Sequence, residues 1–352
     1  MSRRLYLRGA VTAWLLFAAG TLPAQSVRIV DPLRTIRVER DGRGHAGAVV
    51  SCVALSPDGQ TLATVGDDHL IRIWNVKDGR RSAELAGHRR WVRCAAFSPD
   101  GQTLITAGDD RKVMIWDAAT YQLKRELQGQ LQAYGLAYSP KGERIAVVGF
   151  ANQLRFYDPQ GQPAGELACA CRDMRAVAFS PDGQLLAAVG RNGKITLWNL
   201  PRQDSVMDRF KAHRRAIHAV AFSPDGQWLA TAGDGDFIKI WNARTGQSRL
   251  SIPKRGKTRT LSFYGGKFLA AGGTDNLIRV WSLKRIEDRG PSAGPVEEDY
   301  QLVGHKGSVT SIVCDIRQEI LISGSYDTTV RIWSLKQNGP RTTGVPEETI
   351  RE

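Results

Sequence analysis

The chain has 352 residues, of which 42% are hydrophobic, and its formal net charge is +14. This basic excess favours acidic partners and disfavours basic ones through long-range electrostatic attraction and repulsion. The five cysteines are an odd number, which excludes a framework that pairs every cysteine within the chain.

The N-terminal segment has the layout of a signal peptide. A basic stretch, MSRRLYLRG, is followed by an apolar run of 13 residues, AVTAWLLFAAGTL, and by small residues that suit cleavage. The run is too short to span a bilayer comfortably. The stretch SRRLYLR resembles the twin-arginine export motif, and an ordinary secretory signal is the alternative. We therefore expect an exported bacterial protein, periplasmic or secreted, without a transmembrane segment in the mature chain.

After an isolated strand-like stretch, LRTIRVER (residues 33–40), the chain repeats one unit. The turn phrase SPDG starts at Ser56, Ser98, Ser180 and Ser223, and SPKG starts at Ser139. Pro presets φ, and Asp and Gly suit the following turn positions, so each phrase joins two short apolar runs into a β-hairpin. A third alternating run and a more polar fourth complete a unit of four antiparallel strands, labelled a to d.

An aromatic residue on strand c marks each unit. In five units it follows the Ser of the turn phrase by 18 residues, and the aromatic residues of all seven units are 42, 41, 41, 43, 40 and 52 residues apart. They are Trp74, Trp116, Tyr157, Trp198, Trp241, Trp281 and Trp333. A period just over 40 with four strands per unit predicts an all-β, seven-bladed β-propeller of four-stranded antiparallel blades.

A histidine in Gly-His or Ala-His precedes the strand c Trp by 28 or 29 residues in four units. With this second marker, the chain from about residue 33 to 336 resembles the WD-repeat family of β-propellers. The resemblance implies a buried network of His, Ser or Thr, Asp and Trp in each complete blade, where the polar groups satisfy one another. The matching positions are His45, Thr64, Asp68 and Trp74; His88, Thr106, Asp110 and Trp116; His305, Ser323, Asp327 and Trp333; and the incomplete set His213, Thr231 and Trp241, with Gly235 at the Asp position.

The phase of the repeat also predicts the domain organisation. Residues 33–40 have no blade of their own, so we expect this N-terminal strand to pair as the outer strand of the last blade and to remove an open sheet edge. The chain then divides into a signal peptide (1–26), a propeller (27–336) and a flexible C-terminal tail (337–352). An insertion at 284–299 is rich in Pro, Gly and charge and is expected to be a mobile loop.

Basic residues recur at two places in the repeat. Strand c carries a base between apolar neighbours in five units, which we interpret as stems packed between blades with their charged heads reaching solvent. The d–a loops carry a second set, which forms a candidate partner-binding rim: Arg89, Arg90, Trp91, Arg172, Arg214, Arg215, Lys254, Arg255, Lys257 and Lys306. The alternative for this second set is solvated charge that only aids solubility.

Two cysteines stand apart from the others. Cys169 and Cys171 lie where the fourth unit would carry Gly-His, and they form a small disulfide, receive a thiol partner or only fill the gap left by the missing histidine. Two cysteines alone do not make a metal site, and no cofactor is expected.

The sequence favours a non-enzymatic scaffold that binds a protein or peptide partner, which the charge predicts to be acidic, and we expect a monomeric propeller within a complex. No nucleophile signature, carboxylate pair or metal-ligand spacing indicates an enzyme, although a propeller channel can build a site from distant loops. Nucleic acid is disfavoured by export and by the lack of interleaved basic and aromatic residues. An anionic envelope polymer and a small-molecule or enzyme site in the central channel remain the alternatives.

Overall fold

The structure, a computed structural model, describes residues 27–39, 47–128, 132–171, 173–202, 204–207, 212–284, 296–315, 317, 319–336 and 349–350. It consists of seven antiparallel blades. The first three blades contain these strands: β3 (Val50–Leu55), β4 (Thr61–Gly66), β5 (Ile71–Asn75) and β6 (Arg81–Leu85); β7 (Val92–Phe97), β8 (Thr103–Gly108), β9 (Lys112–Asp117) and β10 (Leu123–Gln128); β11 (Ala133–Tyr138), β12 (Ile145–Gly149), β13 (Gln153–Tyr157) and β14 (Pro163–Ala168).

The remaining blades include the two ends of the described chain. Blade 4 contains β15 (Met174–Phe179), β16 (Leu185–Gly190), β17 (Ile195–Asn199) and β18 (Asp204–Met207), and blade 5 contains β19 (Ile217–Phe222), β20 (Trp228–Gly233), β21 (Phe237–Asn242) and β22 (Ser248–Pro253). Blade 6 contains β23 (Thr258–Tyr264), β24 (Phe268–Gly273), β25 (Ile278–Ser282), β26 (Tyr300–Leu302) and the added strand β1 (Arg28–Val30). Blade 7 contains β27 (Val309–Asp315), β28 (Ile320–Ser325), β29 (Thr329–Ser334), β2 (Arg34–Arg37) and β30 (Thr349–Ile350).

The innermost strands close a ring. Strands β3, β7, β11, β15, β19, β23 and β27 contact one another in sequence, and β27 returns to β3. A hydrophobic cluster fills each of the seven spaces between neighbouring blades; Trp74 and Ile36, for example, lie between blades 7 and 1. Each blade therefore buries both faces against neighbours, which a single four-stranded sheet cannot do alone. The predicted seven-bladed propeller is confirmed.

The ring closes through the N-terminus, as predicted. Strand β2 pairs antiparallel with β29, with Thr35 opposite Arg331, and so serves as the outer strand of blade 7. Two further pairings were not anticipated by the sequence. Strand β1 runs parallel to β26 and extends blade 6, and β30 runs parallel to β2. The predicted signal peptide and most of both the insertion and the C-terminal tail lie outside the described residues.

The repeated turn phrase has the same bonds in each blade that carries SPDG. In the first, Ser56 Oγ donates to Asp58 and accepts the Thr61 N–H at 2.9 Å, while the Gly59 N–H donates to the Ser56 carbonyl at 2.9 Å. Gly59 has a φ of 74°, which a residue without Cβ adopts at little cost. The Ser56 hydroxyl, followed by the Gln60 N–H, lowers the pKa of Asp58. The phrase is repeated because each residue has a defined role in the turn.

Candidate functional site

The d–a loops and b–c turns meet on one rim of the propeller. In every blade, the N–H of the residue after strand b donates to the carbonyl of the residue before strand a. These bonds are Asp67 to Val49 (3.4 Å), Asp109 to Trp91 (2.9 Å), Phe150 to Gln132 (3.1 Å), Arg191 to Asp173 (3.3 Å), Asp234 to Ala216 (2.9 Å), Thr274 to Lys257 (3.0 Å) and Tyr326 to Ser308 (3.0 Å). The approach is so close that a Cβ on Gly108 would lie 2.3 Å from the Trp91 carbonyl oxygen. Six of the seven b strands end in glycine, which permits this close approach, and β28 ends in Ser325.

Most of the predicted rim cations are exposed on these loops. The exposed set is Arg89, Arg90, Arg214, Arg215, Arg255, Lys257 and Lys306. Trp91 is half-buried, and Arg172 lies outside the described residues. The structure thus places seven basic side chains on loops of one rim, where solvent and a partner can reach them.

Lys254 differs from the other rim cations. Its Nζ donates to the Gly233 carbonyl at 2.9 Å and to the Gly256 carbonyl at 2.6 Å. Burial lowers the pKa of Lys254 to about 8, against the opposing effect of nearby aspartates. Two of its three N–H donors are therefore bonded within the chain, and Lys254 is less available to a partner than its exposed neighbours.

The His, Ser or Thr, Asp and Trp residues of the predicted network lie within hydrogen-bond distance of one another in blades 2 and 7. In blade 2, Trp116 Nε1 donates to Thr106 Oγ1 at 3.0 Å, His88 Nε2 lies 2.9 Å from the same hydroxyl, and His88 Nδ1 lies 2.8 Å from Asp110 Oδ2. The Arg89 N–H also donates to Asp110 Oδ2, at 3.0 Å. In blade 7, the corresponding distances are 2.9 Å from Trp333 to Ser323, 2.7 Å from His305 to Ser323, 2.9 Å from His305 to Asp327 and 2.8 Å from the Lys306 N–H to Asp327. The network therefore fixes the backbone of two rim residues.

Burial determines the charge state of the network. It lowers the pKa of His88 and outweighs the opposing effect of Asp110, so the imidazole stays neutral at pH 7. Burial also acts to raise the pKa of Asp110, but the Arg89 N–H and His88 outweigh it, so the net pKa is lowered. A neutral histidine that accepts from Thr106 and donates to Asp110 completes an unbroken chain of donors from the indole to the carboxylate.

Blades 1 and 5 hold partial networks. Trp74 Nε1 donates to Thr64 at 2.9 Å, and His45 lies outside the described residues. In blade 5, Trp241 donates to Thr231 at 2.8 Å and His213 Nε2 lies 2.9 Å from the same hydroxyl, with no aspartate at the Gly235 position.

The interpretation of the strand c bases as solvent-reaching heads is wrong for Arg72. This side chain is only 2% exposed, and its guanidinium pairs with Asp68 at 2.8 Å and with Glu84 at 3.2 Å. It also donates to the Glu39 carbonyl at 2.8 Å. The sequence pattern did not show that acids on the b–c turn and on strand d lie beside this base, so the charge is neutralised inside the blade rather than solvated.

A second set of residues at the rim was missed by the sequence analysis. The pairing of strands a and b shifts register around the second residue of strand a in all seven blades, and such β-bulges re-aim side chains. The seven bulge residues are Ser51, Arg93, Tyr134, Arg175, His218, Arg259 and Thr310. Because strand a is the innermost strand, they surround the rim-side mouth of the central channel.

Aromatic rings and guanidinium groups alternate along part of this mouth. The Arg93 guanidinium lies 3.9 Å from the Trp91 ring centroid and 5.8 Å from that of Tyr134, and the Arg175 guanidinium lies 4.2 Å from the Tyr134 centroid. The Trp91 and Tyr326 rings are 6.3 Å apart. Cation–π contacts of this kind hold the arginines in place. The arc extends from blade 7, across blade 1, to blade 4.

The bulge residues of blades 2 and 5 are held by acids of the b–c turns. Arg93 binds Asp109 through two nitrogens, at 3.0 and 2.6 Å, and His218 Nε2 lies 3.0 Å from Asp234 Oδ1. Burial lowers the pKa of His218 to about 4, aided by the positive charges of Arg259 and Arg175 and opposed by Asp234.

No disulfide joins Cys169 and Cys171 in the structure. The Cys171 N–H donates to Cys169 Sγ at 3.1 Å, and the two sulfurs lie 3.3 and 3.5 Å from Thr196 Oγ1. Cys171 is buried and contacts the Ala188 carbonyl at 3.3 Å. Hydrogen bonding to Cys169, together with burial, raises the pKa of Cys171. The pair fills the space between strands where other blades carry histidine.

Two family models match the chain. One, described as the IFT122 first beta-propeller, matches residues 48–289, and the other, described as the WD domain, G-beta repeat, matches residues 297–334. The chain belongs to the WD-repeat β-propeller family. Members of this family commonly act as scaffolds for protein partners.

Similar curated proteins come from eukaryotes and from a cyanobacterium. The WD repeat-containing protein 26 homolog of Drosophila melanogaster is 26% identical over 89% of this chain and 43% of its own length. The WD repeat-containing protein slr1409 of Synechocystis is 38% identical over 19% of the chain and 21% of its own length. Transcription initiation factor TFIID subunit 5 of Arabidopsis thaliana is 32% identical over 21% of the chain and 13% of its own length. The chain thus spans less than half the length of these relatives.

Among the residues that the structure describes, no helix has the length and hydrophobicity needed to cross a membrane.

Proposed function

We propose that this WD-repeat propeller is a non-enzymatic scaffold that binds an acidic protein or peptide partner on the rim of its d–a loops and b–c turns. The observation that carries the proposal is the set of seven exposed cations on one rim. Asp109, on the same rim, is paired with Arg93 and so cancels little of the charge of the outer loops. Asp234 is bonded to the neutral His218 and lies near Lys257, so it offsets part of that charge, and the seven exposed cations still outnumber it. The family membership supports the scaffold role.

The scaffold is suited to binding because its loops are held in place before the partner arrives. Asp110 and Asp327 bind the backbone N–H groups of Arg89 and Lys306, and a backbone hydrogen bond joins the two loops of every blade. A preorganised loop loses little conformational entropy on binding.

The location of the protein is part of the proposal. The basic and apolar N-terminal sequence supports export from a bacterial cell to the periplasm or medium. We also propose that the propeller is monomeric within a complex. Cell fractionation of the full chain tests this, with a variant in which Arg3 and Arg4 are both replaced by Lys. Retention of the wild-type protein in the cytoplasm would contradict export, and unchanged export of the variant would contradict the twin-arginine route.

The rim is tested by reversing its charge. A partner protein is first identified from an envelope extract of the source organism, and its association with purified propeller is measured at low and high salt. Replacement of Arg89, Arg90, Arg214 and Arg215 by Glu is expected to slow association by about tenfold or more at low salt, because electrostatic steering is lost.

The control places the same charge change on the opposite rim, at exposed residues of the c–d turns: Lys77, Arg80, Arg202 and Arg244. This variant is expected to bind as the wild type does, and both variants are expected to keep the wild-type melting temperature within a few degrees. Equal binding by the rim variant and the wild type would overturn the proposed rim. Retention of anionic polysaccharide alone, with no protein partner, would overturn the scaffold role.

A further inference from the structure

The channel mouth holds positive charge that the described chain does not neutralise. Of the three bulge arginines, Arg93 is paired with Asp109. Within the described residues, neither Arg175 nor Arg259 forms an ion pair with an acidic side chain. The two arginines flank His218 of the intervening blade, and both are close enough to lower the pKa of its imidazole. The neighbouring acid, Asp234, is bonded to His218 and lies 4.0 Å from Lys257.

Two hydrogen-bond donors at the same mouth lack acceptors. Arg175 Nε and Trp91 Nε1 are buried from solvent, and no atom of the described residues accepts a hydrogen bond from either. Both nitrogens can only donate. A buried donor without an acceptor is costly, and a bound group that supplied acceptor oxygens would remove that cost. The unsatisfied atoms and the unpaired charges therefore call for the same kind of ligand, an anion with several oxygen atoms.

The arginines are held ready for such a ligand. The Arg175 guanidinium carbon lies over the Tyr134 ring, 4.2 Å from its centroid, so the ring holds the group from one side while its N–H groups can still bind a ligand. A guanidinium edge binds a carboxylate through two parallel hydrogen bonds, which are stronger than those between neutral groups. Because both arginines lie on the innermost strands, the positions of their N–H donors depend little on the conformation of the loops.

We propose that Tyr134, Arg175, His218 and Arg259, the bulge residues of four consecutive blades, form a receptor for a side-chain carboxylate of an acidic peptide segment. This rests on the proposed scaffold function and adds the chemistry that the partner presents at the channel mouth. A peptide fits better than a purely ionic polymer because apolar surface adjoins the charge. Tyr326 and Phe150 are 45% and 54% exposed on the same rim and can contact side chains that flank the acid.

The probe is a fluorescein-labelled, amidated peptide with the sequence Gly-Glu-Leu-Glu-Gly, and the matched peptide carries Gln in place of Glu. Binding to the full propeller is measured by fluorescence polarisation at low salt. The acidic peptide is expected to bind at least about tenfold more tightly than the Gln peptide, because a charge-assisted hydrogen bond is lost with each carboxylate. Replacement of Arg175 or Arg259 by Gln is expected to remove this preference. Arg244→Gln, on the opposite rim, makes the same change in net charge and is expected to leave binding unchanged.

Two further measurements separate binding from folding. Trp91→Phe replaces the indole by a smaller aromatic ring that has no N–H, so a weakened affinity for the acidic peptide at an unchanged melting temperature supports the receptor. A carboxylate bound between Arg175 and Arg259 is expected to raise the pKa of His218, which histidine NMR signals report on titration. No change in that pKa on saturation with the peptide would overturn the receptor.

The remaining outcomes distinguish this inference from the proposed function. Equal binding of both peptides would overturn the receptor. A protein partner that is lost on charge reversal of the outer rim, but retained by Arg175→Gln and Arg259→Gln, would also overturn it while leaving the scaffold role intact. If dextran sulfate binds at the channel mouth and the acidic peptide does not, the proposal that the ligand is a peptide is overturned. Absence of any protein partner would instead overturn the scaffold role.

Discussion

At the scale of a single residue, the indole N–H of strand c distinguishes two kinds of blade. Trp116 Nε1 donates to Thr106 Oγ1, whereas the buried Trp281 Nε1 has no acceptor in the described part of the chain, where Ala271 replaces the hydroxyl residue. We expect Trp116→Phe to lower the free energy of unfolding by about 1 kcal/mol more than Trp281→Phe, because only Trp116 loses a hydrogen bond. Trp116→Ala is expected to cost about 3–5 kcal/mol. Urea unfolding measures all three, and equal losses for the two Phe variants would contradict the assigned bond.

Neutral histidines predict a fall in stability in mild acid. Burial lowers the pKa of His213 to about 4, from an ordinary value of 6.5. Between these values the unfolded chain binds more protons than the folded one, so stability falls as the pH drops from about 6.5 to about 4, by about 3 kcal/mol from this residue. Urea midpoints measured across this range are expected to show the fall, and His213→Gln is expected to reduce its slope. An unchanged slope in the variant would contradict the assignment.

Residues whose chemistry recurs at a fixed spacing in several repeats could be predicted, and residues that vary between repeats could not. The sequence showed His88, Thr106, Asp110 and Trp116 because the repeat places the same residue types at the same spacing, and the structure brings them within hydrogen-bond distance. The bulge position holds seven residues of differing chemistry, and a bulge is defined by strand pairing rather than by composition. The roles of the rim residues in binding stay predictions.

At the scale of an element, strand β2 closes the ring by pairing with β29. Ile36 is 1% exposed and packs in the cluster between blades 7 and 1, while its neighbour Arg37 is exposed. We expect Ile36→Ala to lower the free energy of unfolding by about 2–5 kcal/mol, because it leaves a cavity at the closure. Arg37→Ala, in the same strand, is expected to change it by less than about 0.5 kcal/mol. Urea unfolding compares the two, and similar small effects would contradict a stabilising closure strand.

The pairing of β2 could be predicted by counting, whereas that of β1 could not. One strand-like stretch, residues 33–40, precedes the first unit and belongs to no blade. The last unit lacks an outer strand, so this stretch could fill only that place. Strand β1 has only three residues, and its parallel pairing with β26 adds a fifth strand that the repeat does not require. A segment of three residues is too short for its sequence to show which strand it pairs with.

At the scale of the whole molecule, one repeated bond pattern ties the loops of each blade together and positions the rim that we propose for binding. The hydrogen bonds that tie each d–a loop to its b–c turn also place the outer cations and the bulge arginines on the same rim. The blades differ in their polar networks, but every interface between them is filled by apolar side chains. The closed ring thus tolerates variation within blades while it keeps the rim fixed.

Closure at this scale predicts that the ring cannot be shortened by one blade. A chain that ends at Leu302 lacks β27, β28 and β29, so β2 loses its partner, and the cluster that holds Val280 and Leu302 loses Val309 and Trp333. We expect this chain to lose its cooperative unfolding transition and to be cut rapidly by trypsin, because two apolar faces and two sheet edges become exposed. A chain that ends at Lys336 keeps all seven blades and is the matched control. It is expected to resist trypsin as the full chain does, losing only the short pairing of β30. A six-bladed chain that melts cooperatively within a few degrees of this control would contradict the view that the N-terminal strand and the last blade stabilise the ring together.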